Sequence, residues 1–253
     1  MTPDSSRNPF EMNSIRLVTK NKFSGLISAF SSRPQNMSLS YGDTACSLEN
    51  RRILLAELGV DYNDLVCAKQ VHGHRVEHVR QTDRGKGALS YDTAIADTDA
   101  LFTNIKYLPL AVFTADCLPV FLYDRQTRSI ALIHAGWRGT KDNISARTVE
   151  LMKKELNTRP KDLSVGFGPG IRDCCYEVGE EFREFFPAGL KEREKHHFLD
   201  LTEINKKQFL DLGVEGENIF DSGICTFCNN DRFFSYRKEG NSCGRMISVA
   251  MLT

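Results

Sequence analysis

Four short apolar runs follow one another closely between Ala100 and Ala135, and they constrain the fold more than any other part of the sequence. They are Ala100–Thr103, 109–113, 119–123 and Ser129–Ala135, the last continuous and closed by Gly136. Each is short, apolar and bounded by turn residues, the pattern of a strand buried inside a sheet.

The rest of the chain supplies elements to pack against these strands. Residues 14–20 and 25–30 read as short strands, 31–44 as a loop rich in Ser, Gly and Asn, and 48–58 as a helix. Residues 65–79 favour strand with a break at Gly73. The clearest helix covers 143–156, where Ile144, Thr148, Met152 and Leu156 recur every fourth residue. Beyond it the sequence predicts a strand at Leu163–Phe167, helices at 178–186 and 202–212, and strands at 218–224, 233–237 and Met246–Leu252. A mixed sheet with interspersed helices follows. No repeat, low-complexity tract or linker divides the chain, so residues 1–253 are expected to form a single domain, with 1–13 a flexible polar tail.

Lys and Arg number 33 and so do Asp and Glu, a balance that gives no reason to expect a nucleic-acid or membrane partner. No segment offers the ~18 consecutive apolar residues of a membrane span, and the first residues lack the apolar centre of a signal peptide. The expectation is a soluble, cytoplasmic protein acting on a small molecule. In that setting the eight cysteines point to packing, metal ligation or thiolate chemistry rather than disulfides.

Three segments carry reactive side chains where a strand meets a loop: Gln70-Val71-His72-Gly73, Thr114-Ala115-Asp116-Cys117-Leu118-Pro119 and His134-Ala135-Gly136-Trp137-Arg138-Gly139. Singly, each has an ordinary structural reading. Together their imidazoles and thiol suit zinc, and a centre with three protein ligands leaves a fourth position open, as catalytic sites do. Zinc there would bring the pKa of bound water to ~7 and provide hydroxide at neutral pH.

These segments, with Asp99-Ala100-Leu101, Gly168-Pro169-Gly170-Ile171, Cys174-Cys175-Tyr176-Glu177-Val178-Gly179, Cys225-Thr226, Phe233-Phe234-Ser235-Tyr236-Arg237 and Gly244-Arg245, resemble the YfiH, or laccase-domain, family. The resemblance runs from about Gly25 onward. It implies an α+β fold with mixed β-sheets sandwiched between helices in an α/β/β/α arrangement. It implies zinc held by His72, Cys117 and His134. It also implies phosphorolysis of adenosine, inosine, guanosine and methylthioadenosine to the base and a sugar 1-phosphate, with deamination of adenosine beside it. The expected partners are therefore purine nucleosides and phosphate. An older label for the family is polyphenol oxidase, with copper. Six histidines are too few for the trinuclear cluster of a multicopper oxidase, and His196 and His197 sit in a Lys/Glu-rich stretch expected to be solvated. A single copper on two His and one Cys stays compatible with the ligand types.

Further residues can be given roles around such a centre. Asp116, next to Cys117, could orient a histidine or move a proton, or simply cap a turn. Arg138 stands between two glycines ahead of the helix at 143, a setting in which backbone N–H groups and a guanidinium hold phosphate. Gln70, Ser235, Arg237 and, on the resemblance of Asn50-Arg51 to a family motif, Arg51 are candidate substrate contacts. His74 and His78 share the parity of His72, an alignment that Gly73 interrupts. Cys174-Cys175 and the C-x-x-C of Cys225 and Cys228 suggest a second metal or a redox pair, but adjacent cysteines suit a four-cysteine site poorly, so packing or local thiol chemistry is the expectation.

Three other functions compete with the nucleoside reading. A cysteine hydrolase or editing enzyme for peptidoglycan precursors would use Cys117 as nucleophile and His134 or His72 as base. The others are a copper-binding polyphenol oxidase and a non-catalytic zinc- or redox-responsive binding protein.

Overall fold

The computed structural model describes residues 17–19 and 25–253. The expected tail at 1–13 and most of the strand expected at 14–20 lie outside those residues. The chain opens with β1 (Leu17–Thr19), β2 (Leu26–Phe30), α1 (Thr44–Glu57), β3 (Val66–Cys67) and β4 (Val76–His78). The four apolar runs then become β5 (Ala100–Thr103), β6 (Leu110–Thr114), β7 (Leu118–Asp124) and β8 (Ser129–Ala135). After them come α2 (Trp137–Lys141), α3 (Ile144–Leu156), β9 (Leu163–Phe167), β10 (Glu177–Val178), α4 (Phe182–Phe185), β11 (Leu190–Arg193) and β12 (His196–Leu199). The chain finishes with α5 (Leu201–Asp211), β13 (Ile219–Asp221), α6 (Tyr236–Glu239) and β14 (Met246–Leu252).

Two large mixed sheets result, a five-stranded one in the order β1-β2-β14-β6-β3 and a six-stranded one in the order β13-β9-β7-β8-β5-β4. Their facing sides bury one core: Leu110, Val112, Ala250 and Leu252 from the first meet Leu101, Phe121, Ile130 and Leu132 from the second. Alternate residues of the same strands point the other way. On the five-stranded sheet Ala111, Val249 and Met251 pack against Leu54 and Leu55 of α1. On the six-stranded sheet Ala131, Ile133, Val120 and Phe167 pack against Ile144, Val149 and Met152 of α3 and Phe209 of α5. The absence of alternation in the apolar runs is thereby explained, since one face meets the other sheet and the opposite face meets helices. The architecture is α+β, with the two sheets between helical layers.

Pairing directions decide where function can sit. β4 runs parallel to β5, β5 antiparallel to β8, β7 antiparallel to both β8 and β9, and β13 parallel to β9. The segments before β4, β5 and β7 and those after β8, β9 and β13 therefore all emerge at one edge of the six-stranded sheet.

Two expectations change on the structure. The helix expected at 178–186 is divided between β10 and the single turn α4, because Glu177 and Val178 pair with β12. Residues 233–237 form no strand: Phe233 and Phe234 are aromatic because they pack with Phe30 and Met246, and α6 starts at Tyr236. His196 and His197, expected to be solvated, lie exposed and half-buried on β12, in a small sheet of order β10-β12-β11.

A candidate metal centre at the sheet edge

Cys117 immediately precedes β7, and His134 is the next-to-last residue of β8, its antiparallel neighbour, so the hairpin brings them to the same edge. His72 arrives from the turn before β4. Its φ of 60° lies in the left-handed region, which a non-glycine residue adopts only when the surroundings hold it there. The ring nitrogens of His72 and His134 and the sulfur of Cys117 lie within 4.8 Å of one another. The imidazole rings meet nearly edge to face at a centroid distance of 4.8 Å. His134 is buried, Cys117 partly exposed and His72 exposed, so the cluster has an open side.

Asp99 holds the cluster in place. It is fully buried just before β5, and its carboxylate accepts hydrogen bonds from His134 Nδ1 at 2.7 Å and from three successive amides, Val71 at 3.2 Å, His72 at 3.0 Å and Gly73 at 2.8 Å. One carboxylate thus fixes the tautomer and orientation of one ring and the backbone that presents the other. Glycines allow the close approach. A Cβ on Gly136 would stand 3.1 Å from Cys117 Sγ and 3.2 Å from His72 Cδ2, and one on Gly139 would stand 2.6 Å from the Gly73 carbonyl oxygen.

The charges reinforce one another. Its enclosed position opposes ionisation of Cys117, but positive charge and hydrogen bonds from His134 and then His72 prevail and hold the thiol at about 6. Burial opposes protonation of His134, but the Cys117 charge and the hydrogen bond to Asp99 prevail and raise its imidazole to about 10. Without an ion the pair is a thiolate and an imidazolium. Two imidazoles and a thiolate with an anchoring carboxylate are the donor set that zinc or copper accepts, and these residues fit such an ion.

Around the cluster the sequence-predicted residues fare unequally. Asp116, at a φ of 89°, orients no histidine: its carboxylate accepts from Thr226 Oγ1 at 2.6 Å and from the Arg237 amide at 2.7 Å, joining distant loops. The orienting carboxylate is Asp99 instead. Arg138 is exposed, but it belongs to α2 rather than to a glycine loop, and its guanidinium lies over the Trp137 ring at 4.3 Å. α3 begins at Ile144, after the end of α2 at Lys141, so Arg138 and the amides expected beside it belong to two different helices. Arg237 is exposed, lies over the Tyr176 ring at 5.2 Å and donates to the Glu177 carbonyl at 2.6 Å. Tyr176 sits within the fields of Cys117, Asp116, Arg138 and Arg237, and burial first, then the Cys117 charge, push its phenol upward.

Three candidate substrate contacts are either bonded elsewhere or buried. Gln70 pairs with the backbone of Phe113 in both directions, at 2.8 and 2.7 Å, and so pins its own loop to β6. Arg51 is 2% exposed, donates to the carbonyls of Met37, Gly87 and Ala88, and stacks on Phe113. That guanidinium stabilises the interior and is closed to a substrate. Ser235 is fully buried, its hydroxyl without a partner among the described residues, and presents nothing to solvent. His74 pairs with Asp142 at 3.1 Å and His78 stacks on Phe102 at 4.4 Å, so neither joins His72.

Asp99 and Tyr176 received no individual role from the sequence. The available signal was position: an acidic residue directly ahead of a buried strand, and a tyrosine following the loop after β9. The four cysteines 174, 175, 225 and 228 come together in a second cluster.

Fold and cluster define an α+β sandwich protein with a three-donor cluster at one sheet edge that could hold a metal ion. The chain belongs to the family described as multi-copper polyphenol oxidoreductase laccase, whose model matches residues 18–253. It is 36% identical over 223 residues to the purine nucleoside phosphorylase YlmD of Geobacillus stearothermophilus, covering 84% of this chain and 81% of the relative. It is 34% identical over 221 residues to the adenosine deaminase RL5 of an unknown prokaryotic organism, covering 81% of each. Among solved structures, the hypothetical protein YfiH of Bacillus licheniformis superposes with a TM-score of 0.91 at 30% identity, covering 98% of this chain and 100% of that one. Among the described residues no helix is long and apolar enough to cross a membrane.

Proposed function

We propose that this protein is a zinc-dependent purine nucleoside enzyme, which cleaves nucleosides with phosphate and deaminates adenosine at the same site. The observation that carries the reading is the three-donor cluster of His72, Cys117 and His134, open on the His72 side, with Tyr176 set among Cys117, Arg138 and Arg237. Relatives named as a phosphorylase and as a deaminase support the two activities.

In phosphorolysis a phosphate oxygen forms a bond to the ribose C1′ as the glycosidic C–N bond breaks, and the purine leaves with the bonding pair and takes up a proton. Arg138 and Arg237 are the cations that hold phosphate, by charge-assisted hydrogen bonds worth about 1.5–3 kcal/mol each. Tyr176 keeps its phenol proton and offers it to the nucleoside. Asp116 acts on the shape of the site, since it fixes the Arg237 backbone. Zinc, when bound by His72, Cys117 and His134, supplies a Lewis acid and acidifies water, which suits exchange of the adenosine amino group for oxygen.

A second reading has an observation of its own. Asp99, His134 and Cys117 form a carboxylate–imidazole–thiolate series, the order of a cysteine hydrolase such as one acting on peptidoglycan precursors. A ligating Cys117 is not a free nucleophile, so metal content separates the two. Elemental analysis of the purified protein, with product analysis from adenosine with and without phosphate, is the test. Stoichiometric zinc with phosphate-dependent release of adenine is the expected result, and metal-free protein that leaves nucleosides unchanged would overturn the proposal.

A further inference from the structure

The loops after β9 and β13 share the sheet edge with the metal centre and carry four cysteines. We propose that Cys174, Cys175, Cys225 and Cys228 bind a second metal ion, a zinc-type divalent cation held by four thiolates, distinct from the ion at His72, Cys117 and His134.

Geometry carries the proposal. The four sulfurs lie within 4.8 Å of one another, with Cys175 to Cys228 at 3.3 Å and Cys174 to Cys228 at 3.7 Å. A tetrahedron of sulfurs ~2.3 Å from a central zinc has edges of ~3.8 Å, so the cluster is already near the spacing a Zn–S4 centre requires. Adjacent cysteines seemed ill suited to such a site, but residues 173–175 turn, and both sulfurs approach Cys228.

Backbone and side-chain bonds hold the loops that carry the four sulfurs side by side. Gly170 and Cys225 form a parallel bridge, with the Gly170 amide donating to the Ile224 carbonyl at 3.2 Å and the Thr226 amide to the Gly170 carbonyl at 3.1 Å. Arg172 cross-links the same loops, donating to the carbonyls of Gly168 at 3.0 Å and Ile224 at 3.1 Å and to Asp221 at 2.8 Å. The Cys225 sulfur faces the backbone N–H groups of Cys228 and Arg172, donors that stabilise a ligating thiolate. Cys225 is buried, whereas Cys174 and Cys228 are exposed, which leaves an ion a way in from solvent.

Such an ion would join two loops that build one wall of the first site. The loop after β13 supplies Thr226, bonded to Asp116, and the loop after β9 supplies Tyr176 and the Glu177 carbonyl that receives Arg237. The second metal is therefore structural, and its loss should loosen that wall.

The two sites can be assayed separately. Purified with reductant and supplied with zinc, the chain is expected to hold two equivalents, Cys225→Ser with Cys228→Ser one, and His72→Ala with Cys117→Ala one. The His72→Ala, Cys117→Ala chain loaded with cobalt is expected to show thiolate-to-metal charge-transfer absorption and the intense visible bands of tetrahedral cobalt, which adding Cys225→Ser and Cys228→Ser removes. Equal zinc in wild type and the Cys225→Ser, Cys228→Ser variant would overturn the proposal. So would cobalt without thiolate absorption in the His72→Ala, Cys117→Ala chain, a readout that leaves the four cysteines intact and does not depend on how the serine variant folds.

Discussion

Replacing Asp99 with asparagine removes one negative charge and almost no volume, and the structure sets what that should cost. One carboxylate oxygen accepts from the His72 amide and His134 Nδ1, the other from the amides of Val71 and Gly73. Asparagine must place its NH2 where one of those oxygens stands, so two N–H donors lose an acceptor whichever way the amide turns. At about 1.5–3 kcal/mol for each bond to a charged acceptor, the metal-free protein should lose roughly 3–6 kcal/mol of folding stability, a large part of the ~5–15 kcal/mol typical of a domain. The support lost to His134 and to the His72 turn should also weaken zinc binding by about 10- to 100-fold. Denaturant titration of the metal-free protein measures the first quantity and competition with a chromophoric chelator the second. Asp116→Asn, whose carboxylate touches no histidine, is the matched control and should leave zinc affinity near that of wild type. Wild-type zinc affinity in Asp99→Asn, or an equal loss in Asp116→Asn, would refute the assignment of Asp99 as the anchoring carboxylate.

Zinc affinity should depend on pH with a sign set by the metal-free pair. Between about 6 and about 10 the site holds a Cys117 thiolate and a protonated His134, so zinc binding releases one proton and the apparent affinity should rise about tenfold per pH unit. Below about 6 the thiol is also protonated and the dependence should steepen; calorimetry in buffers of different ionisation enthalpy counts the protons, and pH-independent binding from 7 to 9 would contradict the charge assignment. Arg138→Ala should weaken phosphate use by about two orders of magnitude, the loss of two charge-assisted bonds, and should affect deamination less, with Arg138→Lys recovering only part. Steady-state kinetics at varied phosphate decide this, and equal losses in both activities with zinc retained would place Arg138 on the nucleoside instead. Gly136→Ala should reduce zinc occupancy while preserving the far-ultraviolet circular dichroism, because the new methyl crowds Cys117 Sγ and His72 rather than the core.

How much of this was legible follows from the range of each interaction. β5, β8, β9 and β14 were readable to the residue because burial on both faces writes itself into consecutive apolar positions, and Gly136 marks the end of β8. The pairing order was not, because neighbours such as β9 and β7 are joined by contacts that leave no local pattern. The three donors were readable through resemblance, whereas their anchor was hidden: Asp99 meets its partners 26 to 35 residues away in sequence. Arg51 misled for a related reason. A guanidinium is expected near solvent or substrate, but the carbonyls of Met37, Gly87 and Ala88 satisfy this one inside the protein, and backbone carbonyls carry no sequence signature. The two cysteine pairs looked unsuited to each other only until the bridge from Gly170 to Cys225 set their loops side by side.

The three donors differ in how firmly they are mounted, and this bears on the traffic of the ion. Cys117 directly precedes one strand and His134 lies within another, both strands buried along their whole length, so this pair is rigidly mounted. His72 hangs on an exposed turn whose amides are held by a single carboxylate. If the proposed zinc binds, its exchange with the surrounding solution is expected to have two speeds, with the strand-borne pair meeting the ion first and the His72 turn adding the last bond and losing it first. The amide hydrogens of Val71, His72 and Gly73 sit on that gate, so their exchange with deuterium reports how long a captured ion stays.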